Sequence, residues 1–175
     1  MKRLESLSIA HRMENRNIEL YQGDLTDMSQ TEGVDILVIS AYPGDYCPTL
    51  GSVIGALNEK GISVARLAED KMVDLRNISS CWLSKEIVSE DPGIRFKHLL
   101  CFEPGERGKS PEIVGDIFRS LAPVLGDELS LHTVAIPLVA CGDQRTPIDQ
   151  MLPPLLEAAA RWMSLGLNLT ELKIV

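Results

Sequence analysis

Residues 131–144 read LHTVAIPLVACGDQ. Within this stretch, 133–140 is almost wholly apolar and carries Val134, Ile136, Leu138 and Val139. The run is short for a helix and rich in β-branched side chains, so it reads as a strand buried on both faces. Three small residues follow, Ala140, Cys141 and Gly142, and then polar Asp143, Gln144 and Arg145. Small side chains leave the backbone open to close approach. A helical period then runs over 148–165. Open α/β sheets bind ligands beyond the carboxyl ends of their strands, in loops of this kind. The same unit also serves as a plain connection.

Working outward, residues 34–41, VDILVISA, repeat the buried-strand pattern. A loop follows, YPGDYCPTLG at 42–51, with two prolines, two glycines and two tyrosines. Gly51 and Ser52 open a predicted helix over 53–60. The free N–H groups of such a start favour an anion, and Ser52 reads equally well as an ordinary cap. Upstream, 17–22 (NIELYQ) alternates like a strand and runs into Gly23, Asp24, Leu25 and Thr26. Asp24 thus puts a carboxylate at a strand end, or closes a turn. A first strand is expected near 7–12, and a helix over 62–76 on the stripe of Val64, Leu67, Ala68, Met72 and Leu75. Residues 81–88 and 95–102 read as strands on either side of the turn Asp91-Pro92-Gly93, with His98 a structural residue inside the second. After the loop EPGERGKSP at 103–111 come an amphipathic helix over 112–125, the opening stretch, and a last strand over 172–175. This alternation predicts an α/β fold, a three-layer α/β/α sandwich around a mixed central sheet, with 34–41 and 133–140 both interior.

The chain has 175 residues, 45% of them hydrophobic, which suits a single domain spanning 1–175 with one core. The net charge is −8 and the sequence has no basic stripe, which argues against a duplex nucleic-acid surface but not against holding one nucleotide. No apolar run approaches the ~20 residues of a membrane helix, and the start lacks a secretory leader pattern, so a cytoplasmic protein without a membrane partner is expected. The cysteines Cys47, Cys81, Cys101 and Cys141 and the histidines His11, His98 and His132 have no metal-ligand spacing. Neither a transition metal nor a cofactor is expected. The chain ends on an apolar strand with no polar tail, which suggests a module of a longer chain with additional domains.

Three pieces sit in a recognisable order. Tyr21-Gln22-Gly23-Asp24-Leu25-Thr26 resembles the strand and Gly-Asp-Ile-Thr opening of macro domains. Residues 34–41 resemble their next strand, and Ala135-Ile136-Pro137-Leu138-Val139-Ala140-Cys141-Gly142 is similar to their apolar-Pro-x-apolar-Ser-Thr-Gly strand and phosphate loop. The resemblance implies a divergent macro-like fold with a cleft for ADP-ribose or a related NAD-derived nucleotide. It implies that Asp24 accepts a hydrogen bond from the adenine amino group and that Leu25 packs near the base. It places Gly51, Ser52 and Val53 at the first diphosphate loop, and Ala140, Cys141, Gly142, Asp143 and Gln144 in the second. Backbone N–H groups at a helix start and in a small-residue loop can hold phosphate without cationic side chains. The sequence departs from the hydrolytic members. Ile39-Ser40-Ala41-Tyr42 stands where they carry Asn-Ala-Ala-Asn, and Thr49-Leu50-Gly51-Ser52-Val53 where they carry Gly-Gly-Gly-Val-Asp. The implied role is therefore a binding, signalling module without de-ADP-ribosylating activity.

Two other classes compete. In one, Cys141 is the nucleophile of a hydrolase with Asp143 beside it, which requires a base or an electropositive setting to form thiolate. His132, at the opposite end of the same strand, is too far away to serve. In the other, the domain is structural or an assembly unit with a degenerate cleft.

Overall fold

The computed structural model describes residues 1–11, 14–104, 110–126, 128–139, 141 and 146–175. Its strands are β1 (Lys2–His11), β2 (Glu14–Gln22), β3 (Val34–Ser40), β4 (Lys71–Asp74), β5 (Cys81–Ser84), β6 (Phe96–Phe102), β7 (Thr133–Ile136) and β8 (Glu171–Ile174). Its helices are α1 (Val53–Glu59), α2 (Val64–Glu69), α3 (Arg76–Ser79), α4 (Ser110–Leu121) and α5 (Ile148–Ser164). The strands form one mixed sheet in the order β1-β2-β8-β7-β3-β6-β5-β4. The five strands from β2 to β6 in that order run parallel; β1, β5 and β4 are antiparallel to their neighbours.

The two strands with long apolar runs both lie in the interior of the sheet. β3 lies between β7 and β6, and β7 between β8 and β3. Successive side chains of a strand point to opposite faces. Ile36 and Val38 accordingly join one apolar cluster, with α4 and α5, while Leu37 and Ile39 join the other, with α1 and α2. Helices thus cover both faces, as the expected three-layer sandwich requires.

The elements differ from the sequence expectation where backbone chemistry intervenes. The first strand is longer than expected, from Lys2 to His11, and Arg12 lies outside the described residues. The 133–140 strand ends at Ile136, because Pro137 has no N–H to donate; pairing resumes only where Leu138 N–H donates to the Val175 carbonyl, 2.8 Å. The 81–88 strand stops at Ser84, whose Oγ accepts the Leu99 N–H at 2.8 Å in place of a ladder carbonyl. The 112–125 helix ends at Leu121, two residues before Pro123. The expected 62–76 helix does not form as one element. α2 occupies Val64–Glu69, Lys71–Asp74 pairs with β5 as the edge strand β4, and α3 follows. Burial along β4 alternates with period two, so sheet pairing overrides the helical stripe.

At the amino edge of the parallel strands, Asp35 ties three of them together. Its Oδ2 accepts from the backbone of His132 (2.9 Å) and Thr133 (3.0 Å) and from the Thr133 hydroxyl (2.8 Å). Its Oδ1 pairs with Lys97 Nζ at 2.7 Å. Burial alone would raise this carboxyl, but these donors hold it down at about 2.

Candidate functional site

β3 and β7 are parallel neighbours whose following helices go to opposite faces. α1, after β3, contributes Ile54 and Leu57 to one cluster, and α5, after β7, contributes Met151, Leu155, Ala159 and Met163 to the other. This divergence is a topological switch point. It opens a crevice at the carboxyl edge, between the loops that leave the two strands. β2 is parallel to β8, so the turn after β2 emerges at the same edge.

Two candidate segments, the Asp24 turn and the start of α1, border this edge, and of the third Cys141 is described. Asp24 is exposed, and its Oδ1 accepts from Thr26 N–H (2.7 Å) and Thr26 Oγ (2.8 Å), closing a turn. Oδ2 is the atom that can serve a ligand. Gly93 braces this turn, because a Cβ there would come within 2.7 Å of the Thr26 carbonyl. Leu25 is buried in the α1-side cluster, against which Val53 also packs, so the Asp24 turn and the start of α1 share one apolar base. Gly51 has φ +80°, a conformation that favours glycine. Ser52 caps α1, accepting from Gly55 N–H at 2.9 Å and donating to the Thr49 carbonyl at 2.8 Å. Of the second loop, Ala140, Gly142, Asp143 and Gln144 lie outside the described residues. Cys141 is described and packs against the cluster under α5; burial pushes its thiol up, away from thiolate.

Sequence reasoning missed several residues that shape this edge. Gly55 lets the loop fold back onto α1, since a Cβ would lie 2.2 Å from the Thr49 carbonyl. A glycine inside a helix was the available signal. Glu103, only 4% exposed, follows β6 and accepts on Oε1 from Trp82 Nε1 (2.6 Å) and from the Tyr46 hydroxyl. Burial, and after it the hydrogen bond to Glu103, pushes the Tyr46 phenol up to about 12. Tyr46 thereby anchors the loop after β3 to the end of β6. Glu103 sits in an open cavity of about 760 Å³, with Pro43 and Gly44 on one side and Asp74, Arg76, Asn77 and Ser80 on the other.

His98 Nδ1 lies 3.0 Å from the Ser84 carbonyl, a local bond inside the sheet. Among the described residues, no group of three or more His, Cys, Asp or Glu side chains is placed to hold a metal ion, and no helix is long and apolar enough to cross a membrane.

No family model and no curated protein matches the sequence. Solved structures do resemble the fold. A macrodomain of Oceanobacillus iheyensis with ADP superposes with a TM-score of 0.66 at 13% identity, covering 98% of this chain and 89% of that one. A Trypanosoma brucei macrodomain in complex with ADP gives 0.63 at 22% identity, over 90% of this chain and 62% of that one. The same protein in complex with ADP-ribose gives 0.60 at 20% identity, with the same coverage. The chain therefore has the macrodomain fold.

Proposed function

We propose that the chain is a single, divergent macro-type domain that binds ADP-ribose or a related NAD-derived nucleotide in the crevice between β3 and β7, as a cytoplasmic binding module. The observation that carries this reading is the switch point itself, bordered by the exposed carboxylate of Asp24, held by Thr26 through Oδ1, and the capped start of α1. The likeness of the whole fold to proteins solved with ADP and ADP-ribose supports it. In this arrangement Asp24 Oδ2 accepts the adenine amino group, Leu25 floors the base, and the turn Gly51-Ser52-Val53, whose Ser52 N–H is given to the Thr49 carbonyl at 3.2 Å, meets the diphosphate with the N–H groups of Gly51 and Val53. By its place in the sequence after β7, the stretch Ala140, Cys141, Gly142, Asp143 and Gln144 is the proposed second phosphate loop.

The domain binds without hydrolysing. Ser40, Ala41 and Tyr42 leave the end of β3 without the asparagines of the hydrolytic pattern. A Cys141 nucleophile is disfavoured as well, because its side chain serves the apolar core and its thiol is held protonated.

Asp24→Asn tests the base contact without removing the turn, because an amide oxygen can still accept from Thr26. Calorimetric titration with ADP is expected to show the variant weaker by about 1–3 kcal/mol, the scale of a charged hydrogen bond, at an unchanged melting temperature. Equal affinity would move the base away from Asp24.

A further inference from the structure

The hollow around Glu103 lies at the carboxyl ends of β6 and β4, one strand beyond the crevice between β3 and β7. Glu103 is only 4% exposed and is held from two sides. Its Oε1 accepts from Trp82 Nε1 (2.6 Å) and from the Tyr46 hydroxyl, and its N–H donates to the Ser80 carbonyl at 2.6 Å. Among the described residues, nothing donates to Oε2 and no cation lies within ion-pair reach of this carboxylate. The cations of the region serve Asp74 instead. Arg76 holds it with Nε (2.9 Å) and Nη2 (2.6 Å), and Lys71, which does not line the hollow, reaches it at 3.7 Å. The Arg76–Asp74 pair on the rim is thus neutral, and Glu103 is left as the net charge of the lining.

A buried carboxylate oxygen without a donor is costly. The fold has already taken Glu103 out of water, so a cation that meets Oε2 gains the attraction in a weakly screened recess without that desolvation. The geometry then narrows the kind of cation. A guanidinium is matched by two free carboxylate oxygens, and here Oε1 already serves two donors. A quaternary ammonium has no N–H and is held by aromatic faces, and no aromatic ring lines this hollow. A primary ammonium is a point charge with three N–H donors. One suits Oε2, and the Asn77 amide oxygen and the Ser80 hydroxyl are acceptors for the others. We propose that the hollow is a separate binding site for a primary alkylammonium, the group carried by free polyamines and by lysine side chains, with Glu103 as its counter-ion. This site does not depend on the nucleotide reading of the neighbouring crevice.

The indole N–H of Trp82 donates to Glu103 and so reports on the site directly. Trp162 is the only other tryptophan, and Trp162→Phe tells the two indole resonances apart. In the ¹⁵N-labelled full chain, in amine-free buffer, n-butylammonium chloride is expected to shift the Trp82 resonance saturably with a millimolar dissociation constant. Glu103→Gln keeps an acceptor for Trp82 and removes the charge, and is expected to weaken binding about tenfold, the scale of one charge-assisted hydrogen bond. Asn77→Lys, on the exposed rim, sets a competing cation at the mouth without touching the core and is expected to weaken it at least as much. The proposal is overturned if butylammonium gives no saturable shift, if n-butanol binds as tightly, if methylguanidinium binds more tightly, or if either variant responds like the wild type. Titration with 1,4-diaminobutane and with Nα-acetyl-lysine methylamide then separates the two sources of the ammonium, the tighter of the two naming a free polyamine or a protein lysine.

Discussion

Two aspartates show how one residue type does opposite work at the two edges of the sheet. Asp35, at the amino edge, is saturated by His132, Thr133 and Lys97 and holds β3, β7 and β6 in register. Asp24, at the carboxyl edge, spends Oδ1 on its own turn. The Asp35 carboxyl sits at about 2 in the fold against 3.8 ordinarily, so the unfolded chain takes up the proton first as pH falls. Its stabilisation is therefore complete above the ordinary value and is lost as pH drops from about 4 towards 2. Asp35→Ala is expected to cost about 1–3 kcal/mol near neutral pH, and the gap in urea midpoint between variant and wild type is expected to close over that acid window. A gap that does not change with pH would assign the effect to packing instead. Neither role was fully legible in the sequence. Asp24 was visible as a strand-end acid, but the donors to Asp35 from His132 and Thr133 come from about a hundred positions away, and no local pattern announces them.

At the scale of elements, the sequence was read correctly where one physical demand acted alone. The apolar runs of β3 and β7 had no option but an interior place, and Ser52 was legible as a cap because its acceptor serves a backbone N–H three residues on. Reading failed where two demands competed. The stripe through Met72 and Leu75 fits a helix, yet the open edge of β5 offers backbone partners that a helix turn cannot outbid, and β4 forms. The loop before α1 posed a subtler problem: its shape depends on the absence of a side chain at Gly55. Gly55→Ala would ordinarily favour a helix, but here the new methyl meets the Thr49 carbonyl. It is expected to lower stability by about 1–3 kcal/mol, the scale of an overpacked site, and to weaken ADP binding by displacing Gly51 and Ser52. A variant more stable than wild type in thermal melts would show that the loop does not rest on that contact.

At the scale of the whole molecule, function follows from where the chain changes sides. Helices leave β3 and β7 for opposite faces, and the carboxyl edge between them gathers the Asp24 turn, the start of α1 and the loop after β7. In the proposed reading, a protein of net charge −8 would hold an anionic ligand here through backbone N–H groups rather than basic side chains. The opposite edge carries the Asp35 tie. Chemical-shift mapping of the ¹⁵N-labelled protein with ADP-ribose tests this division directly. Saturable shifts are expected at residues 22–27, 49–56 and 137–141, with residues 33–35 and 94–97 at the far edge unmoved. Shifts concentrated at the Asp35 edge, or none at millimolar ADP-ribose, would contradict a nucleotide site at the switch point.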